Sequence, residues 1–216
     1  MATSAQKIID DANILLQDID NVRWSQSELI DWINEGQLKI VNFQPSAHSE
    51  YIVMDLVPGT RQTIPSNSFR LLDVLRNQDG IYNTAIRQVA RIDLDTQVPN
   101  WHNHKPNTIV QHYMYDSQAP DYFYVYPPQP DPEVMYNLSQ GSVEALLATY
   151  PPTITDVEDE IDIHEIYVPL LVDYVVFRAY AKDSESSASN ELKTQYWAQF
   201  SQGLTGQGST NTGTAP

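Results

Sequence analysis

The hydrophobic period of this chain changes twice, and those two changes constrain its fold more than any other feature of the sequence. From residue 4 to 43, apolar residues recur at helical spacing. From 50 to 150 they fall into short runs divided by prolines and turn residues, and from about 156 the helical spacing returns. This order predicts an α+β protein in which N- and C-terminal helix pairs form a four-helix bundle around an inserted β-rich, sandwich-like region. The expected segments are a helical hairpin at 1–49, the β-rich insertion at 50–155, a second helical pair at 156–204 and a flexible tail at 205–216.

In the first helix, expected over 4–18, Ile8, Ala12, Leu15 and Ile19 form one stripe, with Ile9 and Leu16 beside it. Ser25 and Glu28 have the spacing of a capping box, and Trp24 and Leu29 that of a hydrophobic staple. A second helix should therefore run to about Phe43, with Leu29, Trp32, Ile33, Ile40 and Val41 on one face and Pro45 as its stop. Strands are expected at 51–57, 61–64, 71–76, 82–90, 108–115, 122–126, 134–138 and 143–150. Turn chemistry falls at Pro58-Gly59, at Asp79-Gly80 and along the proline-rich run 127–132. Asp162 and Glu165 offer a capping pair to a third helix that passes Leu170, Tyr174 and Phe177 to Lys182. Pro169 must either bend it or confine its regular part to the residues that follow. A fourth helix, with Leu192, Tyr196, Trp197 and Phe200, is expected over 187–202, closed by Gly203 as the residue after the cap. Beyond it the chain is small and polar with nothing to bury, so a disordered tail is expected.

At 216 residues with 41% hydrophobic content the chain can fill a core without staples, and with no cysteine it has neither a disulfide framework nor a thiolate site. No apolar run approaches the roughly 20 residues of a membrane span, and the first residues lack a signal-peptide layout. A formal net charge of -16, from 12 basic and 28 acidic residues, argues against gripping a phosphate backbone. It is compatible with a wall past which a polyanion slides without being held.

Catalytic chemistry finds little support, and no catalytic, cofactor-binding or metal-binding residue is assigned. His102 and His104 alternate as two metal ligands on a strand would, with His112 as a third; a polar loop before a strand explains them better. Asp93 and Asp95 resemble paired carboxylates for acid–base work on a sugar, and a tyrosine-rich β region is also what a glycan-binding surface looks like. The run Tyr122-Phe123-Tyr124-Val125-Tyr126 reads more simply as a strand lining a core or a subunit interface. The acidic run at 156–162 lacks the glycine and terminal glutamate of a calcium loop and suits a solvated linker with a helix cap. No phosphate loop, nucleophile elbow or HExxH motif occurs. The chain reads as a protein that is not an enzyme and uses no cofactor.

Several motifs follow one another in a suggestive order: Arg23-Trp24-Ser25 before Glu28-Leu29-Ile30-Asp31-Trp32-Ile33-Asn34-Glu35, then Gln62-Thr63-Ile64-Pro65, Arg70-Leu71-Leu72-Asp73-Val74-Leu75-Arg76-Asn77 and Pro99-Asn100-Trp101. Pro120-Asp121-Tyr122-Phe123-Tyr124-Val125-Tyr126-Pro127-Pro128, Val172-Asp173-Tyr174 and Arg178-Ala179-Tyr180-Ala181-Lys182-Asp183 complete them. From about residue 4 to 204 this pattern resembles the head-to-tail adaptor proteins of short-tailed bacteriophages. The resemblance implies a structural virion protein of the head-tail junction, made in the host cytoplasm. Its subunits would form a homo-oligomeric ring, a dodecamer in that family, docked beneath the portal protein and carrying the tail nozzle and in some cases tail fibre proteins. Double-stranded DNA would pass through the lumen during ejection without specific binding, and no membrane is involved. A ring of about twelve such chains would carry on the order of -190 formal charges, which suits a slippery channel wall. The tail at 205–216 is the candidate for portal engagement, against the plainer reading of a frayed terminus. Two other readings remain: a glycan-binding tail or fibre-attachment component, with Tyr or Trp displayed on the β region, and a metal-dependent hydrolase, with His102, His104 and His112 converging on one ion.

Overall fold

The computed structural model describes residues 3–78, 80–81, 83–135, 139–183 and 187–211. Among them lie five α-helices, α1 (Ala5–Leu16), α2 (Gln26–Phe43), α3 (Arg91–Gln97), α4 (Val168–Lys182) and α5 (Ser187–Asn211). Seven strands accompany them: β1 (Ser49–Asp55), β2 (Gly59–Thr63), β3 (Ser68–Asn77), β4 (Arg87–Gln88), β5 (His112–Tyr115), β6 (Tyr122–Gln129) and β7 (Ser142–Thr149). The fold is mixed α and β. The chain divides into two compact units, Met1–His48 with Pro151–Pro216 and Ser49–Tyr150.

In the helical unit, α1 starts at Ser4, whose hydroxyl accepts from the Lys7 N–H, and stops where Gln17 turns left-handed at φ 56°. Its buried face is Ala5, Ile8, Ile9, Ala12 and Leu16. Leu15 and Ile19, expected on that face, are exposed: Leu15 lies on the solvent side of α1, and the left-handed Gln17 ends the helical period before residue 19. The first free N–H groups of α1, on Ala5 and Gln6, donate to the carbonyls of Asp159 and Val157 at 2.9 and 2.8 Å. The acidic run is thus a strap across a helix start, where orphan donors need partners. α2 begins after Ser25 as expected, yet the capping box does not form. Ser25 makes no side-chain cap bond, and Glu28 pairs with Lys182 of α4 instead. Asn34 of α2 clamps Ile154, donating to its carbonyl at 2.9 Å and accepting from its N–H at 2.8 Å.

α4 packs against α1, α2 and α5. Its buried residues Leu170, Leu171, Val172, Tyr174, Val175, Val176 and Ala179 spread around its circumference, as a helix with several neighbours requires. His164, not Asp162, caps the short 3-10 turn before it, accepting from the Ile166 N–H at 3.3 Å. Pro169 sits in the first turn of α4 and starts the helix rather than bending it. The fourth helix differs from expectation: α5 does not end at Gly203 but continues to Asn211, so 205–211 are helical rather than a flexible tail, while 212–216 lie outside the described residues. The glycine has another job. A Cβ there would collide with Leu170, so Gly203 lets α5 approach α4 closely, as Gly36 does where its Cβ would lie 2.9 Å from Leu171. An aromatic seam joins α4 to α5: Tyr174–Phe200 at 5.1 Å, Phe177–Trp197 at 5.0 Å and Tyr180–Tyr196 at 6.1 Å between ring centroids. Such pairs contribute about 0.5–1.5 kcal/mol each beyond the area they bury.

The β unit holds a three-stranded sheet in the order β1-β7-β3 and a four-stranded sheet in the order β2-β6-β5-β4. Leu56, Ile64, Leu71, Val74, Ile86, Val110, Tyr113, Phe123, Val125, Val143, Ala145 and Leu147 form one core shared by strands of both sheets. Three expectations fail here. The strand over 82–90 shrinks to Arg87–Gln88 with a bridge at Ala85, and Tyr82 lies outside the described residues. The strand over 134–138 is a turn in its described part, where the N–H groups of Val134 and Met135 donate to the Asp131 carbonyl; 136–138 lie outside. The proline run, expected as a turn, instead carries β6 on to Gln129 through a cis Tyr126-Pro127 bond. The helix α3 had no counterpart in the sequence reading. It lies against the outer face of the second sheet, where Leu94 and Trp101 pack with Met114, and the Trp101 indole N–H donates to Asp95 at 2.8 Å.

Candidate functional site

The residues singled out as possible catalysts hold structural positions. His102 stacks on Trp101 at 3.6 Å, and its Nδ1 shares a 2.8 Å hydrogen bond with the Thr60 hydroxyl. His104 Nδ1 shares a 3.0 Å bond with the Tyr126 hydroxyl. His112 stacks on the same Tyr126 ring, 6.2 Å between centroids, with its Nδ1 buried and unbonded among the described residues. The three imidazoles thus decorate one tyrosine-rich strip, and among the described residues no three His, Asp or Glu side chains gather as a metal would need. Asp93 and Asp95 fall two apart on α3, a spacing that turns side chains away from each other, and Asp95 accepts from Trp101. Asp159 accepts from the N–H groups of Thr155 and Asp156 at 2.8 and 2.9 Å, and these bonds hold its carboxyl below the usual 3.8.

What sequence reasoning missed is a set of exposed apolar side chains on built supports. The link between α1 and α2 is one. Ile19 and Val22 are 77% and 85% exposed there, and Ile14, in the last turn of α1, is 66% exposed. The backbone beneath them is not loose. The Asp18 carboxylate accepts from the N–H groups of Val22, Arg23 and Trp24 at 3.0, 3.0 and 3.1 Å, and Asn13 donates to Asn21, which sits at φ 50°. Desolvation pushes the Asp18 pKa up, but those backbone bonds, led by that of Trp24, and the Arg23 charge outweigh it and hold the carboxyl below its usual value. No sequence signal marks it, since Asp18 accepts from N–H groups four to six residues on rather than the two or three of a helix cap.

In the β unit, β1 is an edge strand, with β7 as its sheet neighbour. Tyr51 and Val53 point outward from it, while Ile52 and Met54 pack on the core. An open edge carrying apolar side chains is a template for pairing with another chain. On the outer face of the second sheet, Gln88, Arg91, Met114, Tyr115, Asp116, Tyr122 and Tyr124 border a half-open groove of about 550 Å³.

Charge is uneven between the units. The helical unit holds 17 acidic and 6 basic residues, so -11 of the net -16 resides there. Among the described residues no helix is long and apolar enough to cross a membrane. A family model described as SU10 adaptor protein matches residues 3–216. No curated protein matches the chain.

Proposed function

The chain belongs to the SU10 adaptor protein family, and from that premise we propose that it is a structural subunit of a ring joining the portal to the tail nozzle of a short-tailed phage virion. The observation that carries this reading is the reach of the family match, which runs through both compact units rather than one of them. In this reading the four long helices act as a bundle, and the ring is a dodecamer. The subunit performs no catalysis and needs no cofactor. Its partners are its own copies, the portal, the nozzle and, where present, fibre proteins.

A ring requires heterologous contacts, in which one face of a subunit meets a different face of the next. The rigid apolar turn at Ile14, Ile19 and Val22 and the edge strand β1 are two different surfaces that support such an arrangement. The concentration of acid in the helical unit supports a lumen that repels the genome and lets it slide. The stretch from Thr205 onward, helical to Asn211, is the candidate for portal contact. Leu204 is buried and its carbonyl accepts from Gln44 at 3.2 Å, so a truncation that probes this must fall after Gly206 to leave the subunit's packing intact.

The test is cryo-electron microscopy of tail-less, portal-bearing heads incubated with the purified chain. The expected image is a closed ring beneath the portal with an acidic lumen. Heads that acquire no ring, or a ring whose lumen is lined by Lys and Arg, would overturn the proposal.

A further inference from the structure

The groove on the outer face of the second sheet has the chemistry of a saccharide site. Along β6, Tyr122 and Tyr124 alternate with Phe123 and Val125, which face the shared core, so the two tyrosines stand on the opposite face. α3 and Trp101 cover part of that face through Leu94 and Met114, and the remainder stays open as the groove. Its volume of about 550 Å³ falls within the roughly 300–1,000 Å³ typical of small-molecule sites.

The aromatic walls are fixed by partners outside the groove. The Arg61 guanidinium lies 3.9 Å from the Tyr122 ring centroid. Tyr124 meets Trp101 edge-on at 5.9 Å. A ligand entering here does not pay to order those rings. Of the polar members, Arg91 and Asp116 are exposed planar groups, a guanidinium and a carboxylate. Planar donors and acceptors suit adjacent hydroxyls on a sugar ring, while the C–H face of a pyranose suits a tyrosine ring.

We propose that this groove binds a neutral oligosaccharide, a capacity that goes beyond the adaptor role and does not depend on it. The mixture of aromatic and polar lining disfavours a purely apolar ligand, and the half-open shape leaves one side of the occupant in water, as a segment of a longer glycan chain would need. Asp116 at the rim and the net charge of -16 disfavour an acidic polysaccharide.

Saturation-transfer difference NMR on the full chain tests this with three probes: maltotriose, triacetylchitotriose and trigalacturonate. At least one neutral trisaccharide should receive saturation, strongest at its ring C–H protons, and the uronate should receive little. Tyr122→Ala should reduce the signal several-fold, with near-ultraviolet circular dichroism confirming its fold. Arg91→Ala, at a side chain 68% exposed, should also weaken it. No transfer to either neutral sugar at millimolar concentration would overturn the proposal, as would transfer that survives in both variants or transfer to the uronate alone.

Discussion

Asn77 offers the sharpest test of how the β unit is held together. It is 1% exposed at the end of β3. Its amide donates to the Thr84 carbonyl at 3.1 Å, the Thr84 hydroxyl at 2.9 Å and the Val110 carbonyl at 2.8 Å, and accepts from the Val110 N–H at 2.8 Å. Asn77→Leu keeps the branched shape of the side chain and removes all four bonds. Thr84 is exposed and can bond water instead, so its loss is small. Val110 is buried, and its orphaned donor and acceptor cost about 1–3 kcal/mol each, which puts the total near 4 kcal/mol. Against a typical domain stability of about 5–15 kcal/mol that is a large share. The assay is urea unfolding of the purified chain combined with hydrogen exchange at the Val110 amide, which should lose protection first. Asn77→Asp keeps the acceptor for the Val110 N–H but sets an anionic oxygen against the Val110 carbonyl, so it should be destabilised less at low pH than at neutral pH. A cost for Asn77→Leu below about 1 kcal/mol, with Val110 still protected, would refute the clamp.

Gly203→Val should destabilise the helical unit by about 1–3 kcal/mol in thermal or urea unfolding, as overpacking does, because α5 continues through this position against Leu170; a neutral outcome would mean that the helix ends there after all. Asp159 has a folded pKa below its unfolded value of 3.8, so its contribution is fully present above that value and is lost as pH falls through the folded one. The stability gap between the wild type and Asp159→Asn should therefore be constant near neutrality and narrow on acidification below pH 4, which pH-dependent denaturation reads directly; a gap that widens instead would contradict the assignment. Ile19→Ser with Val22→Ser should leave the melting temperature of the isolated subunit unchanged, since both side chains are mostly in water, yet reduce its incorporation into heads; normal incorporation would remove the turn from the list of contact surfaces.

Legibility in the sequence followed how local the determining forces were. Helices α1 and α2 were visible because a buried face imposes its period on consecutive residues, α4 because Leu170, Tyr174 and Phe177 recur along it at helical spacing, and Pro45 marked the stop of α2. The end of α5 was misread because glycine has two uses with one signature. At Gly203 the missing Cβ serves packing against Leu170, a residue more than thirty positions away that no local pattern reveals. The capping box at Ser25 failed for a similar reason, since Glu28 found Lys182, 154 residues on. In the β region, α3 was hidden because only Leu94 of its seven residues is buried, which leaves no period to detect. His102 and His104 were read as a polar loop before a strand, whereas the separate partners of the histidines, Thr60, Tyr126 and the stacked rings, are tertiary facts. The groove was legible only as a surplus of tyrosine. Its shape depends on how far α3 covers the sheet.

Acidity that looks like a single property of the chain therefore has to be divided before it can be explained. Copies carrying -16 each repel at any distance shorter than the screening length, about 8 Å at physiological ionic strength, so a ring of them must keep its charge off the contacting faces. At the α1–α2 turn Ile19 and Val22 are offered to solvent beside Asp20 and Arg23, while the Asp18 carboxylate accepts from three backbone N–H groups. The same logic applies to the strap at 156–160, whose Asp156 and Asp159 are turned to backbone donors. Residues that a charge count scores as free surface acid are partly braces for the backbone, and which carboxylates hold the fold is decided by hydrogen bonds that the sequence composition does not contain.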